Sequence, residues 1–241
     1  MIQAALFDLG GTLLEFNPRR LPWLEWERIG LANVHTFLTA RGHTLDLDHL
    51  GPLFASTLPG RWELAAQGIK NLRLGDILRE SCAACGVILD ETELDEAVAQ
   101  YIAPVDREVQ IYDDAIETVK SLRERGLKIG LISNTMWPGE YHRREMARFG
   151  LLPYFDHTLF SADVGLWKPQ PEIYHLALEA LDVSAEHAFF VGDIPQHDIA
   201  GAQAAGIKAV FKRNDSFSLD GVKPDAQIAH LSDLLELVEQ W

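Results

Sequence analysis

The feature that most constrains this chain lies near its start. Ala4, Ala5, Leu6 and Phe7 form an apolar run that stops at Asp8 and passes into Leu9-Gly10-Gly11-Thr12. A short apolar run that ends at a carboxylate and a glycine turn reads as a buried strand leading into a loop. In an open parallel sheet, ligands bind in the crevice outside the carboxyl ends of the strands, and that is where this reading puts Asp8. An Asp that merely caps a turn would have the same local sequence. What separates the two readings is whether other segments end in the same way.

Several do. Lys128 to Ser133 is a buried strand that runs into Ser133-Asn134, and Ala188 to Val191 is a strand that runs into Gly192-Asp193. Helices fall between the strands. Asp113 and Asp114 stand where they can cap a helix through Arg125, which Gly126 ends, and Glu140 to Phe149 is a helix stopped by Gly150. His157 to Phe160 is a short strand. Pro171 opens a helix at its first turn, where a missing N–H costs nothing, and Ile173, Leu176, Ala177, Ala180 and Leu181 form its inward stripe. A helix from Asp198 to Ala205, a strand from Lys208 to Phe211 and a helix from Ser232 to Glu239 complete the chain. Strands alternating with helices predict parallel pairing in a doubly wound α/β sheet.

Between the first strand and this alternation, Phe16 to Asp106 has helical spacing throughout. Leu24 to Arg41, Ile69 to Cys85 and Glu91 to Ile102 carry apolar residues three and four apart. Breaks are expected at Arg41-Gly42, Leu58-Pro59-Gly60 and Cys85-Gly86. The block reads as a helical subdomain inserted into the α/β chain.

Composition narrows the function. In 241 residues the formal net charge is −15, a field that repels nucleic acid and anionic membrane surfaces. No apolar run approaches a membrane span, and the N-terminus lacks a signal-type pattern, so a cytoplasmic location is the expectation. An anionic small molecule would need local cations or a metal to enter so acidic a protein. The two cysteines, Cys82 and Cys85, are too few for a closed zinc site and lie in a helix-like segment; they read as small buried apolar side chains.

Polar groups thus gather where strand ends converge: Asp8, Ser133, Asn134 and Asp193, with Lys168 before a helix and Asp198 five residues beyond Asp193. Each has an ordinary alternative. Asp193 and Asp198 are acceptable helix caps, Ser133 can satisfy local backbone, and Lys168 can be a solvated surface lysine. As a set they supply a carboxylate nucleophile, hydroxyl and amide donors, a cation and two further carboxylates.

Four ordered segments carry a resemblance to a known superfamily. They are Phe-Asp-Leu-Gly-Gly-Thr at Phe7 to Thr12, Ile-Ser-Asn-Thr at Ile132 to Thr135, Lys-Pro-Gln-Pro-Glu-Ile-Tyr at Lys168 to Tyr174, and Val-Gly-Asp-Ile-Pro-Gln-His-Asp-Ile-Ala-Gly-Ala at Val191 to Ala202. The set resembles the haloacid dehalogenase-like hydrolases over essentially the whole chain. The helical insertion between the first two segments resembles the cap of the phosphoglycolate phosphatase-like branch. The resemblance implies a Rossmann-like core of residues 1–17 and 108–241 and a helical cap of residues 18–107.

It also implies roles. Asp8 would attack phosphorus and form an aspartyl phosphate. Asp8, Asp193 and the backbone carbonyl of Gly10 would hold Mg²⁺. Ser133, the backbone around Asn134 and Lys168 would bind the phosphoryl oxygens of a small phosphorylated substrate, and Asp198 would orient Lys168 or a metal-bound water. One position departs from the pattern. Phosphatases of the superfamily usually carry a second Asp two residues after the nucleophile, as general acid and base, and here that place is Gly10. Its absence keeps two alternatives open: a catalytically weak phosphate-binding or regulatory protein, and a 2-haloacid dehalogenase, whose halide leaves unprotonated. Arg19, Arg20 and Arg61 are weaker candidates for reading the substrate, Trp137 and Trp167 for walling the pocket, and His142 and His197 for relaying protons.

Overall fold

The computed structural model describes the whole chain, Met1–Trp241. Strand β1, Ala4–Phe7, leads through the glycine turn to the two-residue strand β2, Leu14–Glu15. Four helices follow: α1 (Trp23–Ala40), α2 (Leu47–Ala66), α3 (Leu74–Ala84) and α4 (Glu91–Asp106). Strand β3, Gln110–Ile111, returns antiparallel to β2, so the chain enters and leaves the helical block side by side.

Beyond it, strands and helices alternate: α5 (Ala115–Glu124), β4 (Lys128–Ser133), α6 (Gly139–Arg148), β5 (His157–Phe160), α7 (Ser161–Val164) and α8 (Pro171–Leu181). Then come β6 (Ala188–Gly192), a π-helical turn at Pro195–Ile199, α9 (Ala200–Ala204), β7 (Lys208–Lys212), β8 (Ala226–Ile228) and α10 (Leu234–Glu239).

The main sheet has six parallel strands in the order β5-β4-β1-β6-β7-β8. A parallel sheet covered on both faces needs strands that are apolar on both sides, and β1 meets that need. Ala5 and Phe7 join the core under α5, α6 and α10, while Ala4 and Leu6 join the core under α8 and α9. β1 sits in the middle of the sheet, so Asp8 emerges at the centre of its carboxyl edge, flanked by the ends of β4 and β6.

The helical block has a separate core in which α1 packs on α4 through residues such as Trp26, Val34, Leu38, Val98 and Tyr101. Three expectations are corrected here. The Leu58-Pro59-Gly60 break does not exist: α2 runs continuously through Pro52 and Pro59. Its stripe of Leu50, Phe54, Leu58 and Ala65 stays buried, and that packing outweighs the missing N–H groups. The helix expected from Ile69 begins only at Leu74, because the preceding residues are tied to the α/β core. Asn71 Nδ2 and Arg73 Nε donate to the Ala162 carbonyl at 3.1 and 2.8 Å, and Leu74 N donates to the Met136 carbonyl at 2.7 Å. Asp114 also differs from expectation. It stands at the N-cap position of α5, but its carboxylate accepts from Ser232 N at 3.1 Å instead of capping the helix. Cys82 is buried and Cys85 half-buried, and neither forms a disulfide.

Candidate active site

Asp8 follows β1 directly, and its backbone N–H donates to the Val191 carbonyl at 2.9 Å, which fixes the start of the loop against β6. Its carboxylate meets Lys168, which arrives from the segment before α8. Lys168 Nζ donates to Asp8 Oδ1 at 2.5 Å and to Asp198 Oδ1 at 2.7 Å, and all three residues are buried. Asn134, at the end of β4, holds the lysine backbone from both sides. Lys168 N donates to Asn134 Oδ1 and Asn134 Nδ2 donates to the Lys168 carbonyl, each at 2.8 Å. The Asn134 side chain therefore positions Lys168, and what it leaves for a ligand is its backbone. Ser133 is buried one residue earlier and lines the same cleft.

Asp193 and Asp198 have different environments. Asp198 Oδ2 accepts from the backbone N–H groups of Asp193 and Ile194 at 3.0 and 2.8 Å, and Oδ1 accepts from Lys168. Both of its oxygens are engaged. The π turn that presents it is a form often found at functional sites. Asp193 Oδ2 accepts from Asn214 Nδ2 at 2.5 Å, while Oδ1 is buried with no partner. Two glycines make room for these carboxylates. A Cβ on Gly192 would stand 2.3 Å from Asp198 Cγ, and one on Gly11, at φ +74°, would stand 2.1 Å from Asp193 Oδ2.

Electrostatics follow from this crowding. Asp8, Asp193 and Asp198 lie close enough for one oxygen of each to fall within 4.8 Å of the others, and the one ammonium paired with them is Lys168. Fully ionised, three carboxylates against one ammonium leave two negative charges unbalanced. Burial, then the neighbouring charges of Asp8 and Asp198, push the Asp193 carboxyl up to about 8. Burial also pushes Asp8 up to about 6, against the opposing pull of Lys168. For Lys168, burial pulls its pKa down, but Asp198 and Asp8 together outweigh it and hold the ammonium charged.

The chemistry of this set suits a hard divalent cation. Carboxylate oxygens are its preferred donors, two positive charges would match the imbalance, and Asp193 Oδ1 is a buried oxygen in need of a partner. Asp8 and Asp193 retain free oxygens for it, and Gly10 lines the cleft beside them.

The remaining candidates separate. Arg20, Trp137, His142 and His197 line the cleft, whose volume is about 1020 Å³. His142 is a core residue: it stacks between Trp137 and Phe160, Nδ1 meets Glu145 Oε2 at 2.9 Å and Nε2 meets Thr135 Oγ1 at 2.8 Å. Burial lowers the pKa of His197. Arg19 pairs with Glu108 and Arg61 with Glu80 on the surface, outside the cleft. Trp167 is buried behind the wall, its indole N–H donating to Asn71 Oδ1 at 2.9 Å.

Two residues at the end of β7 were not anticipated. Asn214 holds Asp193, and Lys212 Nζ donates to the Gly11 carbonyl at 3.0 Å while standing 3.6 Å from the centroid of the Tyr112 ring. The same signal that marked Asp8 was available for both, since Lys212-Arg213-Asn214 is a polar run at the end of a buried strand.

The sequence pattern of the haloacid dehalogenase-like hydrolases matches residues 2–206. The chain belongs to that family. A glyceraldehyde 3-phosphate phosphatase of Methanopyrus kandleri is 31% identical over 251 residues, covering 100% of this chain and 98% of that protein. Among solved structures, a 2-haloacid dehalogenase from Pseudomonas syringae superposes with a TM-score of 0.75 at 27% identity over 100% of both chains. A family phosphatase from Thermococcus onnurineus gives 0.69 at 26% identity over 98% of both. This family member is therefore an enzyme, a hydrolase whose relatives include proteins named as phosphatases and as dehalogenases. No helix is long and apolar enough to cross a membrane.

Proposed function

We propose that this hydrolase cleaves phosphomonoesters of small molecules through an aspartyl phosphate on Asp8, with Mg²⁺ held by Asp8, Asp193 and the Gly10 carbonyl. The observation that carries this reading is the cluster of three buried carboxylates that pairs with the single ammonium of Lys168, together with the unpartnered Asp193 Oδ1. A dianionic phosphate would not enter such a site without a cation. When bound, Mg²⁺ would neutralise that charge and draw electron density from the phosphoryl oxygens.

The chain's own groups do the rest. An Asp8 oxygen attacks phosphorus, and the phosphorus–oxygen bond to the organic group breaks. Lys168, Ser133 and the backbone at Asn134 hold the equatorial oxygens as charge spreads over them. The leaving oxygen departs with the bonding pair and takes a proton from solvent, because Gly10 offers none. Water then attacks phosphorus and releases phosphate and the Asp8 carboxylate. Asp198 keeps Lys168 aimed throughout. The helical block of residues 18–107 acts as a cap over a core of residues 1–17 and 108–241, and the antiparallel β2–β3 pair supports that division.

A second reading rests on Gly10 and on the similarity to the Pseudomonas syringae 2-haloacid dehalogenase. In it, Asp8 displaces halide from carbon, and no leaving-group acid is needed. It gives no role to the excess carboxylate charge, which would repel a haloacid anion. The test is release of phosphate from aryl and acyl phosphates with Mg²⁺ and with chelator, beside release of halide from 2-haloacids. Mg²⁺-dependent phosphate release supports the phosphatase. Chelator-insensitive halide release without phosphatase activity replaces it with the dehalogenase.

A further inference from the structure

The place where a general acid would stand has no polar group within 4 Å and is bordered by a ring. A Cβ on Gly10 would lie 3.4 Å from Phe16 Cδ2. Phe16 in turn meets Trp137 edge-on, with ring centroids 6.1 Å apart. From the helical block, Trp23, Trp26 and Trp62 line the same cleft. Trp26 is held by its indole N–H, which donates to Asn17 Oδ1 at 3.0 Å. Trp62 stands edge-on against the buried Trp167, with centroids 4.9 Å apart. Yet Trp23 and Trp62 remain 53% and 36% exposed. Indoles that line a cleft while staying partly exposed gain from a flat apolar partner that covers them.

We propose that the group carried by the phosphate is an aromatic ring, which makes the substrates aryl phosphates. The inference rests on the phosphatase reading above and gives it a substrate class. Two independent features are met together by the same leaving group. Beside Gly10 the bonding pair must leave on an oxygen that is stable as an anion, and an aryl oxide is one: the phosphorus–oxygen bond breaks, phosphorus passes to Asp8, and solvent protonates the phenolate. An acyl phosphate also leaves well, but it gives the indoles nothing to cover. An alkyl phosphate satisfies neither feature.

The test separates binding from turnover. Phenylphosphonate and methylphosphonate carry no ester to cleave, and their binding to the Mg²⁺-loaded protein is read by calorimetry and tryptophan fluorescence. Phenylphosphonate is expected to bind about tenfold more tightly, the scale of one or two aromatic contacts. Trp23→Ala and Trp62→Ala should erase that difference and lower kcat/KM for phenyl phosphate, whereas Trp62→Tyr, which keeps a ring, should retain most of both. Equal affinity for the two phosphonates in the wild-type protein overturns the inference. If acetyl phosphate is then still hydrolysed, the phosphatase reading stands without the aryl class. Preferential binding of phenylphosphonate with no turnover of any phosphate ester would instead remove the phosphatase and leave the aromatic subsite.

Discussion

On the floor of the cleft, Lys168 bonds Asp8 and Asp198 at 2.5 and 2.7 Å, and Asn134, Asn214 and two backbone N–H groups hold the same cluster. On its roof, Trp23 and Trp62 stand 53% and 36% exposed on helices that pack around a separate core. The floor is tightly held: Lys168, the Asn134 side chain and both oxygens of Asp198 each have neighbours that aim them. The roof offers surface instead of fixed polar contacts. On the proposed function, reaction type is written into strand ends, where backbone register sets geometry, and selectivity into helix faces, where a substitution changes what is covered without moving Asp8.

The largest expected effect tests the floor. Asp8→Asn should lower phosphatase kcat by at least about 10⁴-fold, because it removes the attacking oxygen. It also removes one of three crowded negative charges, so the metal-free protein should melt no lower than wild type. Residual activity within tenfold of wild type on an aryl phosphate would mean that another group attacks.

Lys168→Met ranks next. It leaves Asp8 and Asp198 buried without their cation, a change that typically costs about 3–5 kcal/mol of stability and, at a transition state, about 10³-fold in rate. Chemical denaturation without metal measures the first and kcat the second. A loss of rate with unchanged stability would separate the lysine's part in turnover from its part in holding the carboxylates.

The sequence made most of this floor legible and little of the roof. Asp8, Ser133, Asn134 and Asp193 each follow an apolar strand, and such a run has few alternatives once it ends in a polar group and a turn. Asn214 follows the same rule after β7, but the loop beyond it carries no recognisable spacing that would mark it. β8, Ala226–Ile228, is too short for its alternation to register. Local propensity disfavours proline inside a helix and so predicts a break at Pro59, while the stripe that keeps α2 continuous depends on neighbouring helices. Most of the aromatic lining is hidden for the same reason: Phe16 and Trp23 lie far in sequence from Trp62, only packing brings them to one cleft, and Trp137 alone is legible because it follows Asn134 closely.

A smaller effect is expected where floor and roof meet. Gly10→Asp alone should change alkyl phosphate hydrolysis by less than about tenfold, although general acid catalysis can be worth about 10²–10⁴-fold. The new carboxyl would press on Phe16, whose ring stands 3.4 Å from the Cβ position. Gly10→Asp with Phe16→Ala opens that space and should favour alkyl over aryl phosphates relative to wild type, measured as the ratio of kcat/KM values. A single Gly10→Asp that already gives the full gain would show that Phe16 yields freely and that the roof does not constrain the acid position.

The last expected effect is thermodynamic. Asp193 is pushed from an ordinary 3.8 to about 8 in the folded protein, and Asp8 to about 6, chiefly by burial. In the unfolded chain both ionise near pH 4. Between pH 4 and 8 the folded state therefore binds more protons than the unfolded one, and the linkage relation makes metal-free stability fall as pH rises through that window. Mg²⁺ competes for the same oxygens and favours their ionised form, so its stabilising effect should run the other way: small at pH 5 and larger at pH 8. At 100 times its dissociation constant a ligand adds about 2.7 kcal/mol. For a chain of this size, that corresponds to a rise in Tm of about 5–10 °C. Thermal melts at the two pH values, with Mg²⁺ and with chelator, measure the difference. A metal-free Tm that climbs from pH 5 to pH 8, with no added effect of Mg²⁺, would mean that the floor carries no charge imbalance and that the contrast with the roof has another cause.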